Sequence, residues 1–137
     1  MRYPVRLKPD DGAFVVTFPD IPEAITQGDD VDDAMHHALD ALETAFDFYF
    51  RDGSPVPLPS MPKRGQKLLH LPLEVNARVL LHNEMMRQKI SKAELARRMG
   101  ISQRKFERIL SWKYDNTIDL AALAFQALGK HLEVYLA

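Results

Sequence analysis

Five side chains between Lys92 and Arg108 carry the clearest binding chemistry in this sequence. Arg104 and Arg108 can each give a guanine two hydrogen bonds, Gln103 can pair with an adenine, and Lys92 and Lys105 can meet phosphates as point charges. They lie in the stretch SKAELARRMGISQRKFERILSW, from Ser91 to Trp112. Leu95, Ala96 and Met99 give a short helix one apolar face, and Ala96 suits a place where two helices cross closely. Gly100 supplies a left-handed turn residue, and Ser102 can cap a second helix over 103–111. At about 100° per residue, Phe106, Ile109 and Leu110 share one arc of that helix, with Arg104, Arg108 and Ser111 opposite. This is the residue order of a helix-turn-helix whose second helix lies in a major groove. A solvated hairpin with ordinary surface arginines would require only the apolar spacing. Agreement of cap, glycine and spacing favours the groove reading.

Other reactive side chains point nowhere in concert. His36 and His37 are helical neighbours that diverge by about 100°, so they cannot chelate from one face. His70, His82 and His131 are isolated and read as structural or exposed, and Met85-Met86 as core filling. Cysteine is absent, which excludes a disulfide framework, thiolate catalysis and a sulfur-based zinc site. No cofactor is called for.

The near-neutral total charge of −1 conceals an asymmetry. Through Pro62 there are 4 Lys/Arg against 12 Asp/Glu, and from Lys63 onward 14 against 7, so the balances are −8 and +7. Such a split predicts two modules: a basic one for phosphates and an acidic one for a basic protein. MRYPVRLKPDD has no apolar run of signal-peptide length, and no later run would span a bilayer. The expectation is a cytoplasmic protein without a membrane partner.

The elements that must position these side chains follow from patterning. Tyr3, Val5 and Leu7 alternate with polar residues, and Asp10-Asp11-Gly12 turns into Ala13 to Phe18, which predicts a hairpin. A short strand around Ala24 to Gln27 follows a Pro-punctuated loop. Asp30 can cap a long helix on which Val31, Met35, Ala38, Leu39, Leu42, Ala45, Phe46 and Tyr49 share an arc of about 120°. Asp33, Asp40, Glu43 and Asp47 face away, and Phe48 and Phe50 fall outside the arc. Those two aromatics either pack under the following loop or serve a protein interface. Gly53 ends the helix, and SPVPLPSMP is a stiff connector or an extended cover strip. Lys67 to Leu71 has a short strand pattern, 76–88 a helical one, and 119–128 another, stopped by Gly129. His131 to Leu136 alternates as a candidate closing strand, to be paired with Lys67 to Leu71 or with its copy in a second subunit. The predicted organisation is α+β, with a sheet-plus-helix domain over 1–53, a Pro-rich linker over 54–66 and a helical DNA-binding and dimerisation domain over 67–137.

With these elements in place, YPVRL, DDGAFVVTFPDIPEAITQGD, ALDALETAFDFYF and the PLPS strip resemble the HicB antitoxin family of bacterial toxin-antitoxin modules, in the variety with a helix-turn-helix C-terminal domain. The likeness covers nearly the whole chain. It implies a reduced RNase H-like N-terminal fold and a partner, a HicA-type mRNA-cleaving toxin, that the antitoxin binds and silences while repressing their shared operon. The basic half similarly resembles Cro-like repressor domains, which implies Lys92 on a phosphate and Gln103, Arg104 and Arg108 on bases. Ser102, Lys105 and Lys113 complete the DNA-facing set. The likeness departs at Trp112-Lys113-Tyr114, where such domains carry a glycine-containing turn. Candidate toxin contacts are Asp33, Asp40, Glu43 and Asp47, with Phe48 and Phe50 as aromatic anchors. The implied partners are thus a toxin protein, operator duplex DNA and a second copy of the chain.

An RNase H-like fold raises nuclease chemistry, which needs carboxylates converging on two magnesium ions. The active enzymes carry their first Asp within the opening strand, and Arg2 to Lys8 has none. Asp10, Asp11 and Asp20 fall in turns, where acids serve local hydrogen bonds. The reading is therefore a non-enzymatic binding protein. A repressor with a ligand-sensing N-terminal domain is the alternative.

Overall fold

The computed structural model describes residues 1–111 and 118–136, and they form two compact units, Met1–Pro72 and Leu73–Ala137. The first unit is a sheet covered by one helix. Strand β1 (Arg2–Asp10) turns at Asp11-Gly12 into β2 (Ala13–Thr17), with Asp10 opposite Ala13. Both turn residues have positive φ, 48° and 81°, the conformation that a two-residue hairpin loop needs to match strand twist. Strand β3 (Ile25–Gly28) pairs with β2, and β4 (Lys67–His70) pairs with β1. The sheet is antiparallel throughout, in the order β3-β2-β1-β4.

Helix α1 (Val31–Asp52) starts where Asp30 accepts the Asp33 N–H at 2.8 Å and ends at Gly53, with φ 72°. Ala34, Ala38, Leu42, Phe46 and Phe50 are buried at a four-residue spacing, with Ala45 buried beside that row. Four residues overshoot a turn by about 40°, so the row winds around the helix as it crosses the twisted sheet. Helix and β3 meet closely at Gly28, where a Cβ would lie 2.2 Å from the Ala34 nitrogen. Only hydrogen fits there. Tyr3, Val5, Val16, Phe18 and Ile21 complete the buried set on the sheet side.

One alternative is decided and one expectation changes here. The Pro-rich segment is the extended cover strip, within the first unit, and not the linker over 54–66: Tyr3 donates its hydroxyl to the Pro57 carbonyl at 2.8 Å, and Asp20 accepts from the Ser60 N–H and hydroxyl at 3.0 and 3.1 Å. Val56 is buried within it. The strand at 67–70, expected with the C-terminal segment, is the fourth strand of the first sheet. The ladder continues through the Leu71 N–H to the Met1 carbonyl at 3.1 Å. A lone strand needs a partner, but β1 supplies the open edge that takes it.

The second unit contains, among its described residues, helices α2 (Leu73–Gln88), α3 (Lys92–Met99), α4 (Gln103–Glu107) and α5 (Ile118–Ala127). Leu81, Met85, Leu95, Ala96, Phe106, Ile109, Ala124 and Phe125 build its core, with Met86 packed against it. After α5, Gly129 has φ 77° and the Lys130 N–H reaches back to the Phe125 carbonyl at 2.8 Å, closing the helix end. No strand follows: residues 131–136 carry no regular structure, and Val134, Tyr135 and Leu136 are exposed. The expected pairing of His131 to Leu136 with Lys67 to Leu71 is not made, because 67–70 already pairs with β1.

Candidate functional site

The second unit presents its cations through local geometry. Ser91 caps α3 by accepting the Glu94 N–H at 3.1 Å, and Ser102 caps α4 by accepting the Lys105 N–H at 3.1 Å. Between the helices Gly100 takes φ 70°, which an L-residue adopts only at a cost, and the Ile101 N–H returns to the Ala96 carbonyl at 3.1 Å. Phe106, Ile109 and Leu110 are buried, so Gln103, Arg104, Lys105 and Arg108 are left on the outside, with Ser102 at the helix start and Lys92 at the first position of α3. Lys113 lies outside the described residues.

Helix α4 is shorter than its pattern suggests. Beyond Glu107 the chain tightens into three-residue bonds, from the Arg108 N–H to Lys105, from Ile109 to Phe106 and from Ser111 to Arg108. At that point the buried Arg78 donates its Nε–H to the Ile109 carbonyl at 3.1 Å. Sequence reasoning passed over this residue. The available signal was an arginine three residues after Val75, four before His82 and seven before Met85, on the buried face of α2.

Not every cation is equally free. Arg97 and Arg98 both bind Glu94, at 2.6 and 3.1 Å, and these hydrogen bonds hold its carboxyl down at about 2. Arg87 and Gln88 do the same for Glu84, again to about 2. Among the described residues Lys92, Arg104 and Lys105 enter no such ion pair. The outer side of α4 and the start of α3 therefore offer charge to a polyanion.

In the first unit the expected acidic contacts divide. Asp33 serves the helix start, accepting the Asp29 N–H at 2.8 Å and facing His37 at 3.8 Å. Asp47 pairs with Arg51 at 2.7 Å. Glu43 is half-buried, Asp40 is exposed, and Phe48 is 58% exposed. Phe50, expected as a second exposed anchor, is only 8% exposed and belongs to the winding core row.

An open groove of about 520 Å³ lies beside Phe48 and Asp40, with His37, Ala41, Thr44 and Ala45 on the helix side and Glu23, Ile25 and Thr26 opposite. The Tyr49 hydroxyl donates to Glu23 Oε2 at 2.7 Å, tying the approach to β3 onto α1. Partial burial and the Glu23 carboxylate push this phenol up to about 12. Glu23, Ile25 and Thr26 escaped sequence reasoning because nothing in their spacing links them to Phe48.

A family profile described as "HicB_like antitoxin of bacterial toxin-antitoxin system" matches residues 2–80. "Antitoxin HicB 2" of Photorhabdus laumondii subsp. laumondii is 46% identical over 134 residues, covering 98% of this chain and 95% of its own. "Antitoxin HicB" of Escherichia coli K12 is 45% identical over 135 residues, covering 98% of both. "Antitoxin HicB" of Pseudomonas fluorescens Pf0-1 is 30% identical over 132 residues, covering 96% of this chain and 90% of its own. The class is that of antitoxins, which work by binding and not by catalysis, and which imply a toxin partner. Within it, this chain belongs to the HicB family.

Proposed function

We propose that this chain neutralises a HicA-type mRNA-cleaving toxin through its acidic first unit and represses its own operon through its basic second unit. The observation that carries the second half is the α3–Gly100–α4 arrangement. It buries Phe106, Ile109 and Leu110 and turns Gln103, Arg104, Lys105 and Arg108 outward from a capped helix start. This layout supports the helix-turn-helix reading, in which the second helix would read bases and Lys92 would grip a phosphate. The first half is supported by family membership and by the charge of the units, −5 for residues 1–72 and +4 for 73–137. A protein that holds RNA is basic, and the first unit has the complementary sign. A sheet with one covering helix is also the layout that a reduced RNase H-like domain requires.

Repressors of this design bind inverted repeats as dimers, with half-sites about one helical turn, ~34 Å, or a multiple apart. The exposed Val134, Tyr135 and Leu136 are the apolar stretch of the second unit best placed to be covered by a second copy. Titration of the region upstream of the operon at fixed salt tests the reading. Arg104→Ala and Arg108→Ala should each cost ~1 to 3 kcal/mol of operator binding and relax sequence preference, whereas Lys92→Ala should weaken all DNA evenly. Unchanged operator preference in the double variant would sink the groove assignment.

A further inference from the structure

The groove between α1 and β3 has the features of a strand-accepting site. Strand β3 stands at one end of the sheet order, and no described strand pairs with its outer side. Its outward N–H and C=O groups are a template for another chain. Successive strand residues point to opposite faces, yet Ile25 and Thr26 both line the groove, so it opens along the strand's edge. The opposite wall is the flank of α1, small at Ala41, Thr44 and Ala45 and bulky at Phe48. Two large apolar side chains border this edge in the open, Ile25 at 63% and Phe48 at 58% exposure. The lining includes the carboxylates of Glu23 and Asp40 and no lysine or arginine.

We propose that this groove is where the toxin docks, by laying an extended, cationic segment along the edge of β3 with an apolar side chain between Ile25 and Phe48. The proposal rests on the antitoxin reading above and names its contact surface. Charge complementarity selects the occupant: a second copy docking through this same face would set Glu23 and Asp40 against themselves, whereas a basic protein meets them favourably. The small helix wall leaves room for a backbone, main-chain bonds to β3 supply affinity, and the apolar pair supplies the anchor. The Tyr49–Glu23 bond holds the groove in shape beforehand.

The test uses the full chain co-expressed with the toxin encoded beside it. Phe48→Ala and Ile25→Asp, both at exposed positions, should weaken the purified complex at least tenfold, mainly through faster dissociation. Asp40→Lys should slow association at low salt, and Asp11→Lys, on the β1–β2 turn, should change neither rate. Amide exchange at 25–28 should slow in the complex. Wild-type affinity in both Phe48→Ala and Ile25→Asp overturns the groove and leaves the antitoxin reading standing. No complex with the wild-type chain overturns both. If the two variants instead alter self-association and spare the toxin complex, the groove is a contact between copies and the proposal fails.

Discussion

The acidic and basic units present their charge by opposite routes. In the second unit the surface is continuous in sequence: Ser91 to Leu110 contains both caps, the turn glycine, the buried anchors and the outward cations. In the first unit the groove joins residues 23–26 to residues 37–48 across a strand edge, and two of the helix's six acids, Asp33 and Asp47, are engaged within the helix itself or at its start. The difference teaches that net charge locates a module, whereas the free side chains locate its site. On the function proposed above, a −5 unit whose groove carries few carboxylates would rely on apolar contacts for lifetime, and a +4 unit with unpaired Arg104 and Lys105 on charge for affinity.

The sharpest way to break this division is to damage one core and watch the other function. Phe106, a residue of α4, is fully buried, and Phe106→Ala should cost the second unit about 3–5 kcal/mol. Calorimetry of the full chain, with operator titration and toxin rescue in parallel, should show DNA binding lost and rescue retained. Loss of both functions together would end the two-surface account. The reciprocal change is Gly28→Ala, which drives a methyl group into the backbone at the start of α1 and should cost about 1–3 kcal/mol. Here rescue should fall and operator affinity should hold in vitro.

A smaller change sharpens how the second surface is aimed. Arg78→Met removes the donor to the Ile109 carbonyl and should destabilise the second unit by about 1–3 kcal/mol. Because that carbonyl lies just past α4, operator preference should blur more than in a surface variant of equal stability. Equal preference at matched stability would make Arg78 a core residue only. The smallest effect expected is acid sensitivity. Arg97 and Arg98 lower the folded-state carboxyl of Glu94 from 4.5 to about 2, so its stabilisation is present above about pH 4.5 and fades as pH falls towards 2. Glu94→Gln should flatten that part of the second unit's pH–stability curve and leave the first unit's unchanged.

Legibility followed the distance over which each feature is encoded. The hairpin turn at Asp11-Gly12, the Asp30 cap, the Gly53 stop and the caps and turn of the α3–Gly100–α4 segment, though not the length of α4, are readable because each depends on residues within a few positions of one another. Helix bounds shifted slightly, with α2 starting at Leu73 and α5 at Ile118, where capping and packing outweigh periodicity. The fixed apolar arc misplaced Phe50, since the buried row follows a four-residue spacing that winds with the sheet. It also left Met35, Leu39 and Tyr49 half-exposed, at positions that a straight stripe would bury.

What the sequence determined by itself is therefore the chemistry of the second unit's surface, the acidic character of the first and the family likeness that spans both. Tertiary structure alone decided that 67–70 closes the first sheet, that the proline strip is pinned by Tyr3 and Asp20, that Arg78 meets Ile109 and that Ile25 faces Phe48 across a groove. Caps, turns and helical faces are set by interactions between near neighbours, whose geometry the backbone fixes in advance. Strand partners and grooves are settled by competition among distant segments for the same unpaired edge or buried face, and that outcome exists only once the chain has folded.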